Sequence, residues 1–336
     1  MSLPLPLSLD YRLHDLTLAK PFHISGYTFR DVPVLDVSLR AGGLLGRGEA
    51  AGVYYSGDLP ANMPAQLEAA RPHIEAGLSR QALRELLPAG GARNALDCAL
   101  WDLEARRAGC AVWQLAGLRR PQPLLTTMTL SADAPAEMAA GAQRFAGARA
   151  LKLKLTGETE LDIERVRAVR AARPEVWLSV DANQGFTPAT IERLLPVLAD
   201  CRVMVLEQPF SRGREQDMKL IDAPCETAAD ESCLSLAELE RIAGLFDIVN
   251  IKLDKCGGLT EGLMIAERAR ALGIKVMVGC MPGTGLAMAP AFVLGQLCDV
   301  VDLDAPLAIS NDCRPTVRYE DGRIDSPAEL WGGQAA

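Results

Sequence analysis

A chain of 336 residues, 49% apolar and only 5% aromatic, is long enough for one large α/β domain and a smaller one around an aliphatic core. A formal charge of −8 excludes the basic surface that nucleic acids call for, and no apolar run reaches the length of a bilayer span. Nine scattered cysteines without a CxxC pair exclude a thiolate zinc site of that pattern and predict reduced thiols in a cytoplasmic protein.

The opening "MSLPLPLSLD" has neither a basic start nor a long apolar stretch, so no signal peptide is expected. Strand patterns follow in "PLSLDYRL", "VPVLDVSL" and, after the turn "AGG", "LLGRGEAAG". The stretch "RNALDCALWDLEARRAG" (93–109) then sets Ala95, Leu96, Ala99, Leu100 and Leu103 on one helical stripe. Strands followed by helices predict an α+β unit over 1–120, with "GLRRPQP" (117–123) as a linker.

From 121 to 310, eight β-rich runs alternate with helical stretches at intervals of about 25 residues. They are "LLTTMTLS", "ALKLKL", "VWLSVDAN", "RVMVLEQP", "CETAADES", "DIVNIKLD", "IKVMVGCM" and "DVVDLDAP". This rhythm predicts an α/β fold, a (β/α)8 TIM-type barrel, capped by the N-terminal unit. The barrel is modified, because Asp304 runs into the irregular "APLAISNDCRP" where a last helix belongs. Residues 311–336 read as a hairpin turning at "EDG" and returning to the first unit.

In a barrel, reactive groups stand at the C-terminal ends of the strands. Those ends carry Lys152 and Lys154, Asp181, Glu207, Asp230, Lys252, and Asp302 with Asp304. From Lys154 to Lys252 the steps are 27, 26, 23 and 22 residues, one βα unit each. Three carboxylates in register on rigid strands repel unless neutralised, and a hard divalent cation, best Mg2+, answers that need. Histidine is confined to His14, His23 and His73, all in the first quarter, so proton transfer falls to other groups. Lys154 from the second strand and Lys252 from the sixth face each other across the mouth. One would take a proton from carbon and the other return it to the opposite face. Free lysine is a poor base, with a pKa of about 10.4. The neighbouring Lys152 ammonium is expected to lower that value for Lys154. Read singly, each acid is an ordinary loop residue and the lysines a solvated strand end; it is the register that favours a site.

Together "KLKL", "VDANQGF", "LEQPF", "ADES" and "NIKLDKCGG" resemble the enolase superfamily in its muconate-lactonizing subgroup, over nearly the whole chain. The resemblance implies Asp181, Glu207 and Asp230 as Mg2+ ligands. It implies Lys154 and Lys252 as acid/base pair with Lys152 as helper, acting through an ene-diolate. Asn183 and Glu231 would support the ligands. "DLDAP" resembles the dipeptide epimerases, where such a pair holds the substrate ammonium; Asp304 as a turn cap is the plainer reading. The cap loops near 23–30 and 51–58 would contact the substrate, through Ser25, Tyr54 and Tyr55, with Asp58 able to attract a basic side chain. The arginine that grips glutamate in bacterial Ala-Glu epimerases has no counterpart in "FHISGYTFR", where Arg30 lies several positions later. "GCMPGTGLA", with Pro282 and Gly283, is expected to widen the pocket.

The expected activity is Mg2+-dependent epimerisation at the C-terminal residue of a dipeptide, of Ala-Glu type or with an apolar side chain. The partner is this small molecule, with neither nucleic acid nor membrane; a homo-oligomer is compatible with the reading. Alternatives on the scaffold are o-succinylbenzoate synthase, N-acylamino acid racemase and muconate cycloisomerase. The synthase and cycloisomerase substrates carry no ammonium for Asp302 and Asp304. A Schiff-base aldolase using Lys252 would not need the carboxylates, and a non-catalytic relative would be expected to have lost one of these groups.

Overall fold

The computed structural model describes residues 7–333. Residues 1–6, within the stretch read above for a leader, and 334–336, the end of the C-terminal segment, lie outside the described residues.

The cap begins as an antiparallel sheet of β1 (Ser8–Ile24), β2 (Tyr27–Ala41) and β3 (Leu44–Ala50), in that order. The alternate residues Leu35, Val37 and Leu39 point to one face. There they meet apolar residues of α1 (Met63–Glu75), α2 (Arg80–Leu86) and α3 (Gly91–Ala108). Gly46 and Gly48 let β3 lie directly on α3: a Cβ on either would stand 2.1 Å from the Ala99 or the Ala95 carbonyl oxygen. α3 departs from a simple amphipathic helix, because its polar face is buried as well. Arg93 donates to the Cys256 carbonyl at 2.6 Å and pairs with Glu261 at 2.7 Å, while Asp97 accepts from Thr260 N at 2.8 Å. α3 is therefore clamped between the cap sheet and the second domain.

After α4 (Val112–Leu115) and β4 (Leu124–Leu125) comes the barrel. Its parallel strands are β5 (Met128–Leu130), β6 (Ala150–Lys154), β7 (Trp177–Asp181), β8 (Val205–Glu207), β9 (Glu226–Ala229), β10 (Ile248–Ile251), β11 (Lys275–Gly279) and β12 (Val300–Asp302). They pair in chain order, and the first run joins the last where Thr127 N donates to Val301 O at 3.0 Å. Around them lie α5 (Pro135–Arg144), α6 (Thr159–Ala172), α7 (Pro188–Ile191), α8 (Leu195–Asp200), α9 (Leu239–Ile242), α10 (Leu253–Cys256), α11 (Leu259–Ala271) and α12 (Gly285–Gly295). Among the described residues no α-helix follows β12; a 3-10 turn, Ala305–Ala308, stands in its place.

Outward residues such as Leu151, Leu153, Val180 and Leu206 pack into the shell that includes the helices. Inward residues form an apolar floor, with Val205, Ala228, Ile248 and Met277 buried and Trp177 and Val300 against them. Two positions further along, the chain carries Ser179, Glu207, Asp230, Asn250 and Asp302, and on β11 Gly279. A hairpin, β13 (Arg318–Glu320) and β14 (Arg323–Asp325), pairs with β4, turning at Asp321 and Gly322 with φ of 50° and 72°. The chain then lies on α3, where Gly332 N donates to Asp102 Oδ1 at 2.9 Å.

Candidate active site

Period-two alternation sends Lys152, Lys154, Asp181 and Glu207 inward at one end of the barrel, with Asp230 in the loop just past β9 and Lys252 just past β10. One oxygen each of Asp181, Glu207 and Asp230 falls within 4.8 Å of the others, and all three side chains are buried. Two like charges about 4 Å apart cost on the order of 4 kcal/mol at an effective dielectric of 20, so the trio needs counter-charge. Lysines supply it. Lys154 Nζ stands 2.6 Å from Asp181 Oδ2, and Lys252 Nζ stands 2.6 Å from Asp230 Oδ2. Their strands, β6 and β10, are four places apart among eight, so the two amines enter from opposite walls.

Lys152 differs from expectation. It is fully buried and pairs with Asp181 at 3.1 Å, Glu207 at 2.7 Å and Asp302 at 2.8 Å. Its charge is matched by carboxylates rather than turned against Lys154, so it acts here as the hub of the acidic cluster. Burial disfavours the Lys152 ammonium, but Asp302, Glu207 and Asp181 hold its pKa well above the ordinary lysine value. Lys252 is likewise held up, with Asp230 overcoming burial. Burial would raise Asp181, yet Lys154 and Lys152 bring it down to about 2. For Glu207, burial and the charge of Asp181 prevail over Lys152, and its carboxyl is pushed up to about 7.

Further residues hold this cluster without being singled out by the sequence patterns. Lys255 Nζ donates to the carbonyl and to Oδ1 of Asp230, both at 2.6 Å. Asn250 Nδ2 donates to Glu207 Oε1 at 2.9 Å. Gln208 Oε1 accepts from the backbone N–H of Asp230 and Ser232 at 2.9 and 3.0 Å, fixing the loop after β9. Asn250 and Lys255 lie inside "NIKLDKCGG", two before and three after Lys252, and that spacing was the available signal.

A cavity of about 520 Å3 opens above the cluster, beneath the cap. Lys154, Lys252, Asp230, Glu231, Asn183 and the pair Asp302 and Asp304 all reach it. Glu231 is 2% exposed, its Oε2 lacks a hydrogen-bond partner among the described residues, and burial with the charges of Asp230 and Asp181 pushes its pKa up to about 8. Asn183 sits at φ 41°, donates from its backbone to Asp181 Oδ1 at 3.0 Å, and keeps its own buried Oδ1 without a partner among the described residues. Asp302 accepts from Thr127 Oγ1 as well as Lys152. Asp304 accepts from the backbone and hydroxyl of Thr129, which ties the last strand to the first.

The cap reaches the cavity through aromatic side chains. Tyr54 and Tyr55 line it, and Tyr54 stacks on Tyr27 and meets Phe29 edge-on, at centroid distances of 4.7 and 5.2 Å. Ser25 does not line the cavity, because its hydroxyl turns to the Thr156 carbonyl at 3.5 Å; the wall there is Ile24. Asp58 is also diverted: it accepts from Gly91 N at 2.7 Å, at the start of α3. Pro282 lines the cavity, whereas Gly283 faces Glu49, whose Oε1 would stand 3.1 Å from an added Cβ. Arg30 is exposed and outside the cavity wall.

The three carboxylates suit a hard divalent cation: the donors are all oxygen and closely convergent, and among the described residues Glu207 Oε2 has no hydrogen-bond partner despite its ion pair.

Residues 136–330 match the family described as enolase C-terminal domain-like. Residues 10–117 match the mandelate racemase / muconate lactonizing enzyme N-terminal domain. The L-Ala-D/L-Glu epimerase of Escherichia coli K12 is 38% identical over 309 residues, 91% of this chain and 96% of that protein. An enolase family member from Agrobacterium tumefaciens with homology to dipeptide epimerases, solved with sodium and L-Ala-L-Glu, is 39% identical. The match has a TM-score of 0.92 and covers 97% of this chain and 100% of that one. A dipeptide epimerase from Methylococcus capsulatus, complexed with Mg and L-Arg-D-Lys, is 30% identical at a TM-score of 0.89, over 96% and 97% of the two chains.

Proposed function

Since this chain belongs to the mandelate racemase / muconate lactonizing enzyme family of the enolase superfamily, we propose that it is an Mg2+-dependent dipeptide epimerase. The observation that carries this reading is the pair of lysines, Lys154 and Lys252, set on opposite walls around one carboxylate cluster. Asp181, Glu207 and Asp230 would hold the cation, with Asn183 and Glu231 beside them. When bound, it supplies positive charge that makes the proton next to the substrate carboxylate more acidic. Lys154 and Lys252 now rest on Asp181 and Asp230; released from those pairs, one amine takes the α-proton of the C-terminal residue and the other ammonium delivers one to the opposite face. Lys152 stays charged among its three carboxylates and keeps the cluster together. Asp302 and Asp304 would orient the N-terminal ammonium, with Thr127 and Thr129 fixing the carboxylates.

The nearby cap wall is apolar and aromatic: Ile24, Phe29, Tyr54 and Tyr55. That lining supports an apolar side chain on the C-terminal residue over a glutamate. The test is a set of L,L-dipeptides incubated with Mg2+ in D2O and followed by mass spectrometry. Deuterium is expected at the α-carbon of the C-terminal residue, fastest for apolar residues. A broad set without any exchange would overturn the reading.

A further inference from the structure

The cavity lining includes many residues outside the catalytic cluster. Past Asp302 and Asp304 it continues between the cap and α5, walled by Leu18, Phe22, Met138, Phe145 and Leu307. Two features of the chain build this outer lobe. First, the β1–β2 ladder breaks between Thr17 and Phe22, so that Leu18 to Pro21 bow out of the sheet and Leu18, Ala19 and Lys20 join the cavity lining. Bulges of this kind re-aim side chains beside active sites. Second, the bowed segment is fastened to the barrel end: Leu18 bridges to Ile309, Ser310 N donates to Thr17 O at 2.9 Å, and His23 N donates to Ser131 Oγ at 2.8 Å. The lobe is thus a fixed wall.

The lobe's position follows from strand order. β12, which ends at Asp302, and β5, which leads to α5, adjoin each other on the closing side of the barrel, so the lobe extends from Asp302 and Asp304. Its charged residues are at the rim and offset one another: Lys20 lies 3.8 Å from Asp133, and Arg144 and Glu137 are exposed. An apolar wall with a balanced rim favours neither an acidic nor a basic group.

We propose that this lobe seats a bulky apolar side chain on the N-terminal residue of the substrate, with the Leu18–Lys20 bulge and α5 determining its size. The assignment rests on the dipeptide-epimerase reading. It is tested with two series, Xaa-Leu and Xaa-Glu, in which Xaa is Gly, Ala, Leu or Phe, following deuterium wash-in with Mg2+. In whichever series turns over, kcat/KM for Leu or Phe is expected to exceed that for Ala on the order of tenfold or more, since one methylene in an apolar pocket is already worth roughly tenfold. Ala19 is exposed at the lobe, so Ala19→Trp fills it without disturbing the core. In that variant the ratio of Phe to Ala substrates is expected to fall toward one. Exchange that ignores the size of Xaa, or an unchanged ratio in folded Ala19→Trp, would overturn the lobe assignment alone. Silence in both series would overturn the epimerase reading and this proposal with it.

Discussion

Glu207 owes its orientation to Asn250 of β10, which donates to its Oε1. The room for that amide comes from Gly279, where an added Cβ would stand 2.7 Å from Asn250 Oδ1. Groups that orient ligands matter nearly as much as the ligands, and their loss typically costs 10–100-fold in metal affinity. Asn250→Leu keeps the volume and removes the donor. It is expected to weaken Mg2+ binding, measured by isothermal titration, by roughly 10–100-fold with the circular dichroism spectrum unchanged. Unaltered binding in a folded variant would reduce Asn250 to a filler. Such roles are hidden from the sequence for a physical reason. Asn250 sits 43 residues from Glu207, and the partners of Lys152 lie up to 150 residues away. Spacing reveals which strand end a residue occupies, but not which oxygen its side chain meets.

At the scale of elements, the cap is held over the barrel mouth by buried acids. Glu49, from β3, accepts from Thr284 N and Thr284 Oγ1, both at 2.6 Å, at the start of α12. Asp254 Oδ1, in α10, accepts from Ala51 N and Gly52 N at 3.0 and 2.8 Å and so fixes the loop leading to Tyr54. Burial raises the Glu49 carboxyl from 4.5 to about 8 despite those Thr284 bonds. The sign follows from linkage. Between these two values the native state holds a proton that the unfolded chain has released. Stability from this group therefore falls as pH rises, by at most about 1.4 kcal/mol per unit. The comparison of Glu49→Gln with the parent cancels the other titrations. The variant's melting temperature relative to the parent is expected to climb between pH 5.5 and 8 and then level off. A constant difference across that range would mean that Glu49 is already ionised in the folded protein.

For the whole molecule, much of the architecture can be read from one regularity. Apolar runs ending in a charged residue recur at one βα interval, and a closed barrel is the arrangement that brings such ends together. The lysines of the second and sixth strands then oppose each other by closure alone, and "EDG" turns its hairpin where the local residues predict. The double burial of α3 is not legible in this way, because Arg93, Asp97 and Asp102 resemble a solvated face. They are satisfied by Cys256 O, Thr260 and Gly332 N, groups the chain brings back only after completing much of the barrel. Ser25 and Asp58 escaped for a related reason: a short polar side chain in a loop is free to bond the nearest backbone instead of facing the cavity.

The opposition of the two amines is the claim on which the function depends. It is tested most directly by Lys154→Ala and Lys252→Ala, each given both epimers of one accepted dipeptide with Mg2+ in D2O, reading α-deuterium by single-turnover mass spectrometry. The account predicts that each variant loses exchange with one epimer far more than with the other, and that the two variants show opposite preferences. Equal losses for both epimers in both variants would contradict it.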